Sequence, residues 1–320
     1  MATINNAIKK QISLLMSNKA QWIPFAGLVI IIVIFEVLSG GKLFAERNHR
    51  ILIYEAFTLV MGASALTFVM SQGKVDLSTG GIVALCCAAG ATVSNGGSPW
   101  LCIPVALGTG LLIGLLNGLV AAHLKIDSFI ATIAMSFMMK GVVVQILDSG
   151  SIGIPLKMLG WDSVALRVVT LVIVCVVSFL FFEYGKIGKW SRAVGSNEIA
   201  AYQSGVNVRK IRITGFLITG AMAGAIAIFS ILRTGTASTS SGANYEMDTM
   251  IALLLGGMPI TGGPASRYYA AVVGGLTMTF LSNGMTVTGI DAYVQQLIRG
   301  IIFLFAVAMT FNRKSLAYIK

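Results

Sequence analysis

Long apolar runs alternate with short polar breaks along almost the whole chain. Ten runs stand out: Trp22–Leu38, Ile51–Ser71, Gly80–Ser94, Trp100–Ala122, Ser128–Leu147, Val164–Phe182, Thr214–Leu232, Met247–Met258, Tyr268–Asn283 and Ala292–Phe311. A hydrocarbon core about 30 Å thick is crossed by roughly 20 residues of helix. The pattern therefore predicts an all-α membrane protein with about ten transmembrane helices, forming a single domain over residues 1–320. The third and eighth runs are short and glycine-rich, and are expected to be broken or partly re-entrant.

One break differs from the rest. Residues 184–213 carry Lys186, Lys189, Arg192, Arg209, Lys210 and Arg212 between two helix-length apolar runs. A basic island inside a membrane protein faces water, and the positive-inside bias makes that water cytoplasmic. With both termini inside, 15 of the 23 Lys and Arg fall on the cytoplasmic side: Lys9, Lys10, Lys19, Lys74, Lys125, the six of the island, Arg267, Arg313, Lys314 and Lys320. Lys42, Arg47, Arg50, Lys157, Arg167 and Arg233 fall outside, and Lys140 and Arg299 lie within runs. The split predicts an N-in, C-in topology. The outer cluster from Lys42 to Arg50 runs against it and has no physical account at this level.

Composition agrees. The chain is 56% hydrophobic and 11% charged, with too little charge to cover a soluble surface. The net charge of +11 lies in short loops, where topology and anionic lipid of the bilayer explain it and nucleic acid does not. Cys86, Cys87, Cys102 and Cys175 sit in or beside apolar runs, and His49 and His123 lack ligand spacing, so neither a disulfide framework nor a metal site is expected. The first run lacks a clear cleavage site and is read as a membrane helix, not a removed signal peptide. No G-x-x-x-x-G-K-[ST], HExxH or G-x-S-x-G motif is present, so the chain is expected neither to bind ATP through a P-loop nor to act as an enzyme.

A pattern of blocks repeats. Asn117-Gly118, Ile126-Asp127-Ser128-Phe129 and Met139-Lys140-Gly141-Val142 return as Asn283-Gly284, Ile290-Asp291-Ala292-Tyr293 and Ile298-Arg299-Gly300-Ile301. Five runs separate the two sets, and an odd offset reverses orientation, so an inverted repeat is expected, as in many transporters. Gly110, Gly114 and Gly118 share a helix face, and Gly274 and Gly275 begin another; such faces let backbones approach closely. Glu36, Glu55, Lys140 and Arg299 lie at membrane depth, where ions are costly. For Lys140 and Arg299, lining a path competes with pairing to a carboxylate that holds the bundle, and the second reading is preferred. Two polar breaks frame the chemistry. In one, Asp76 with Ser78 or Thr79 resembles a helix cap. In the other, Glu246 and Asp248 suit the first turn of a helix, or an outer partner or solute.

These blocks resemble the permease subunits of ribose- and galactose-type sugar ABC importers, within the ribose and branched-chain amino acid permease superfamily. The matching segments are Lys74-Val75-Asp76-Leu77-Ser78-Thr79-Gly80, Phe129-Ile130-Ala131-Thr132 with Lys140-Gly141-Val142, Gly195 to Val206, and Tyr245-Glu246-Met247-Asp248 with Gly256-Gly257 and Gly262-Gly263. Lys74-Val75, Met258-Pro259-Ile260 and Pro264-Ala265-Ser266-Arg267 depart from the usual pattern. The resemblance implies a type II importer fold in a bacterial inner membrane. Its expected partners are a second permease copy, a cytoplasmic ATPase, often of two fused domains, that binds ATP and Mg, and an extracytoplasmic sugar-binding protein. It assigns ATPase coupling to Gly195, Asn197, Glu198, Ala200, Ala201, Ser204 and Gly205, within a coupling loop at 184–213. It assigns a translocation path or gate to Gln72, Asp76, Ser78, Asn117, Thr132, Lys140, Asn283 and Arg299, and the binding-protein side to Tyr245, Glu246 and Asp248. Competing expectations are an ion-coupled secondary transporter using Glu55 and Lys140, a nucleoside or furanosyl-signal importer of the same class, and an intramembrane enzyme or scaffold.

Overall fold

A computed structural model describes residues 22–124, 126–148 and 150–310. Lys9, Lys10, Lys19, Lys125, Arg313, Lys314 and Lys320 of the charge count, and the tenth run's end at Phe311, lie outside the described residues. The helices are α1 (Ile23–Leu38), α2 (Glu46–Met70), α3 (Thr79–Gly96), α4 (Cys102–His123), α5 (Ser128–Ile146), the short α6 (Leu156–Leu159), α7 (Val164–Phe179), α8 (Lys186–Ser196), α9 (Glu198–Gln203), α10 (Val208–Thr234), α11 (Tyr245–Leu255), α12 (Tyr269–Val287) and α13 (Ala292–Thr310). A π turn at Leu180–Tyr184 extends α7. Seven of these elements are long and apolar enough to cross a membrane: α2, α3, α4 with its leading turn, α5, α7 with its π turn, α10 and α12.

Each predicted run coincides with a helix, but the bounds moved for physical reasons. The third run, expected to be short, becomes the 18-residue α3, because Thr79 at its start and Asn95 and Gly96 at its end are helical too. The second starts earlier, at Glu46, so Arg47 and Arg50 ride on helical turns. The eighth stays short, and Gly256-Gly257 ends it, Gly257 having φ +87°. One departure from an all-α reading is a small antiparallel ribbon of β1 (Ser151–Gly153) and β2 (Thr236–Ser238), with Ile152 opposite Ala237. It joins the segment after α5 to the segment after α10. The ribbon marks one end of the bundle, and α8 and α9 mark the other.

Glycine explains the tightest crossing. α4 and α10 meet where Gly110 and Gly114 face Gly220 and Gly224, and a Cβ at Gly110 or Gly220 would overlap the other's carbonyl oxygen. Gly118 lies against Ile213, so the expected glycine face is a packing face. Gly274 packs on the Ala252 carbonyl and Gly275 on Val60, drawing α12 onto α11 and α2. Lipid tails offer no hydrophobic drive between helices, so close backbone packing of this kind holds the bundle.

Arg167, on the first turn of α7, is 1% exposed. It donates to both carboxylate oxygens of Asp162 at 2.7 and 2.8 Å and to the Phe229 carbonyl at 2.6 Å, and lies 4.3 Å from the Tyr54 ring centroid. The side chain folds inward because Asp162 and the aromatic faces satisfy it. Arg167→Ala strands a buried carboxylate, so we expect a loss of about 3–5 kcal/mol. Thermal unfolding of the detergent-solubilised protein checks this. Replacing both partners by apolar residues should recover most of the loss, because the stranded charge is then gone.

Candidate functional site

Residues 71–78 separate α2 from α3, and three helices pin them. Gln72 Nε2 donates to the carbonyls of Phe68 at 2.8 Å and Ile211 at 3.2 Å. From α5, Ser128 Oγ accepts from Val75 N at 3.3 Å and Thr132 Oγ1 accepts from Leu77 N at 3.1 Å. From α4, Asn117 Nδ2 donates to Ser78 Oγ at 2.7 Å. A non-helical backbone at membrane depth is tolerated only where protein supplies its hydrogen bonds, and here Ser128 and Thr132 of α5 accept from it while Asn117 of α4 holds the Ser78 hydroxyl. Asp76, Ser78, Asn117 and Thr132, each at most 2% exposed, thus form one buried cluster. Asp76 does not cap α3 directly. Its Oδ1 accepts from the amide of Ser78 at 2.9 Å and from its hydroxyl, closing a side-chain turn just before the helix.

Lys140 and Arg299 both find carboxylates. Lys140 Nζ lies 2.8 Å from Glu246 Oε1, and Arg299 Nη1 lies 3.0 and 3.1 Å from the two oxygens of Asp248. Both acceptors stand on the first turn of α11, where the positive end of the helix dipole also favours them. No spacing in the sequence paired these residues: the partners are 106 and 51 positions apart. The start of α11 meets the start of α3 at Gly80, where a Cβ would overlap the Glu246 carboxylate and the Gly242 carbonyl. Asn283 joins neither pair. It exchanges hydrogen bonds with Asn48 at 2.6 and 3.3 Å, so Asn117 and Asn283, matched in the repeat, do different work.

Tyr245, Glu246 and Asp248 are engaged within the chain. Tyr245 is buried and its hydroxyl donates to the Thr58 carbonyl at 3.1 Å, while both carboxylates are held in ion pairs. α11 begins inside the bundle, so its first turn faces protein.

The basic island folds as α8, α9 and the first turns of α10. α10 begins at Val208, not at Thr214, because Asn207 Oδ1 accepts from Lys210 N and caps it. Asn197 caps α9 in the same way through Ala200 N at 3.0 Å. α9 closes with paired bonds, Gly205 N to the Tyr202 carbonyl and Val206 N to the Ala201 carbonyl, with Gly205 at φ +84°. That arrangement needs a left-handed residue, which glycine adopts without strain. A groove of about 470 Å³ runs beside α9, with Asn197, Ala200, Ala201 and Ser204 on one wall and Pro264 on another. Glu198 pairs with Arg212, tying α9 to α10. Gly195 stands apart from the groove: it packs against the Ser71 carbonyl and Gly263.

Glu183 was missed. It ends α7 and takes Arg192 at 2.8 Å and the Tyr268 amide at 2.8 Å, with Arg267 at 3.9 Å. The available signal was its position as the sole acidic residue among the basic residues flanking it.

Seven helices long and apolar enough to cross a membrane, around buried polar breaks and ion pairs, define a multi-pass membrane protein. The chain belongs to the family described as branched-chain amino acid transport system, permease component, which matches residues 50–307. It is similar to the ribose import permease protein RbsC of Escherichia coli strain K12, 28% identical over 298 residues that cover 90% of this chain and 92% of the relative. The galactofuranose transporter permease protein YtfT of the same strain is 30% identical over 283 residues, covering 84% and 80%. The fructose import permease protein FruF of Bifidobacterium longum is 29% identical over 314 residues, covering 90% and 85%. No solved structure matches. With the long apolar helices, these permease relatives make the chain a multi-pass protein of the bacterial inner membrane.

Proposed function

We propose that this chain is the membrane-spanning subunit of an ATP-driven sugar importer. It pairs with a second permease copy, docks an ATPase of two fused nucleotide-binding domains that holds ATP and Mg, and receives solute from an extracytoplasmic binding protein. The observation that carries the reading is the groove beside α9. A short, doubly capped helix lies at the basic end of the bundle: Ala201 packs inward with Val206 and Ile211, while Ile199, Ala200 and Tyr202 are exposed and give a partner an apolar contact. The relatives named for ribose, galactofuranose and fructose support a sugar as cargo.

The same proposal takes α1, α11 and α13 as spans beside the seven long ones, giving ten with both termini inside. It relates α2–α5 to α10–α13 as an inverted repeat. The order helix, polar break, helix, Asn-bearing helix, cation-bearing helix recurs in both halves, which supports it. Alternating access follows if solute, binding protein and ATP favour different arrangements of the two halves.

The test is uptake in proteoliposomes holding the chain, its ATPase and its binding protein. ATP-dependent accumulation of labelled D-ribose, D-galactose or D-fructose is expected. Accumulation driven by an ion gradient without ATPase would overturn the reading and favour Glu55 as a coupling group.

A further inference from the structure

A cavity of about 290 Å³ opens among α2, α3, α10, α11, α12 and α13, in the half of the bundle that carries the ribbon. Its wall includes Glu55, Ser230, Arg233, Asp248, Ser282 and Arg299. Arg233 is exposed and sits 5.0 Å from the Tyr54 ring centroid, next to β2. Asp248 and Arg299 also wall a second cavity of about 190 Å³ between α11 and α13. Their ion pair therefore stands as a partition between the two spaces.

Three buried atoms on the lining residues have no hydrogen-bond partner among the described residues: Glu55 Oε2, Ser282 Oγ and Arg299 Nε. Unpaired buried polar atoms are costly in protein or lipid, and a membrane bundle keeps polar groups chiefly where they serve a path or ligand. The wall holds two carboxylates, two guanidiniums and the hydroxyl-bearing Thr58, Ser230, Tyr245 and Ser282. A lone cation meets the guanidiniums, and a lone anion meets the carboxylates, so neither suits the whole lining. A neutral molecule with several adjacent hydroxyls suits it, since each hydroxyl both donates and accepts. The volume fits a compact ligand, drug-sized ligands needing about 300 Å³ or more.

We propose that this cavity is a solute site within one protomer, which takes a neutral polyhydroxylated molecule of monosaccharide size and passes it by parting the Asp248–Arg299 ion pair. The site rests on the sugar-import reading and gives that solute a station inside the chain. Glu55 and Asp248 accept from solute hydroxyls, and Arg233 at the mouth and Arg299 at the partition donate to them.

Thiol labelling tests it. In a background with Cys86, Cys87, Cys102 and Cys175 replaced by alanine, Ser230→Cys and Ser282→Cys are near-isosteric. The complete transporter in proteoliposomes is treated with a charged methanethiosulfonate reagent, with and without D-ribose, D-galactose or D-fructose. The sugar that is taken up should slow modification at both positions severalfold. Glu55→Gln should raise the KM for uptake about tenfold, with the binding protein's affinity for that sugar unchanged. Wild-type uptake combined with unprotected thiols and an unchanged KM in Glu55→Gln overturns this site and leaves the importer reading standing. A wild-type complex that accumulates none of the sugars overturns the importer reading, and this site with it.

Discussion

Gly205→Val is expected to abolish ATP-driven uptake while leaving the permease folded and inserted. Gly205 sits at φ +84° with nothing within 4 Å of where a Cβ would stand, so the change removes no packing and creates no clash. It acts only through the backbone. A non-glycine residue in the left-handed region costs about 1–2 kcal/mol, more for a β-branched one. The whole bundle tolerates that. α9 does not, because it has six residues, and an isolated helix that short has no stability of its own. Its geometry comes from the Asn197 cap, the Glu198–Arg212 tie and the Gly205 closure. Losing the closure should leave ATPase activity running without solute movement, measured as phosphate release against uptake in the same proteoliposomes. Gly205→Asn, which reaches left-handed backbone more readily, should restore part of the coupling. Normal coupling and assembly in Gly205→Val would remove α9 from the docking surface.

The features legible in the sequence were those of short range. Periodic apolar runs located the helices, and Gly110, Gly114 and Gly118 announced a close crossing. Features that depend on distant partners were not legible. The burial of Arg167 is one, since its acceptors include the Phe229 carbonyl, 62 residues away. The ribbon joins three-residue strands 85 positions apart, too short to carry an alternation signal. Asp76 looked like a helix cap because capping and side-chain turns use the same residues at nearly the same spacing. Its real setting, held by α4 and α5, appears only once the bundle is assembled. The pairing at Glu246 and Asp248 is of the same long-range kind: α11 opens onto cations supplied by α5 and α13.

Those cations give the second large effect. Lys140→Glu and Glu246→Lys should each cut uptake at least tenfold, and the double swap should recover most of it. Either single change puts like charges where Lys140 Nζ and Glu246 Oε1 now lie 2.8 Å apart. The Lys140 side chain is 36% exposed and the Glu246 side chain 14%, so losing one partner costs less than the about 3–5 kcal/mol of a fully buried pair. Coupling between contacting residues runs to about 0.5–3 kcal/mol, and 1.4 kcal/mol is a factor of ten. Rescue should still be incomplete, for a reason fixed by position. Glu246 lies in the first turn of α11, so the swap puts an ammonium at the positive end of a helix, worth about 0.3–1 kcal/mol against it. The swapped transporter should therefore run at a fraction of wild-type uptake, roughly a half to a fifth, once membrane levels are equalised. A fixed structural strut predicts that recovery in folding and in transport go together. If the double swap restores protein level and thermal stability but not uptake, the sign of the charge at each position matters to transport itself. The pair then belongs to the path along with Asp248, which shares the helix turn of Glu246, and its partner Arg299.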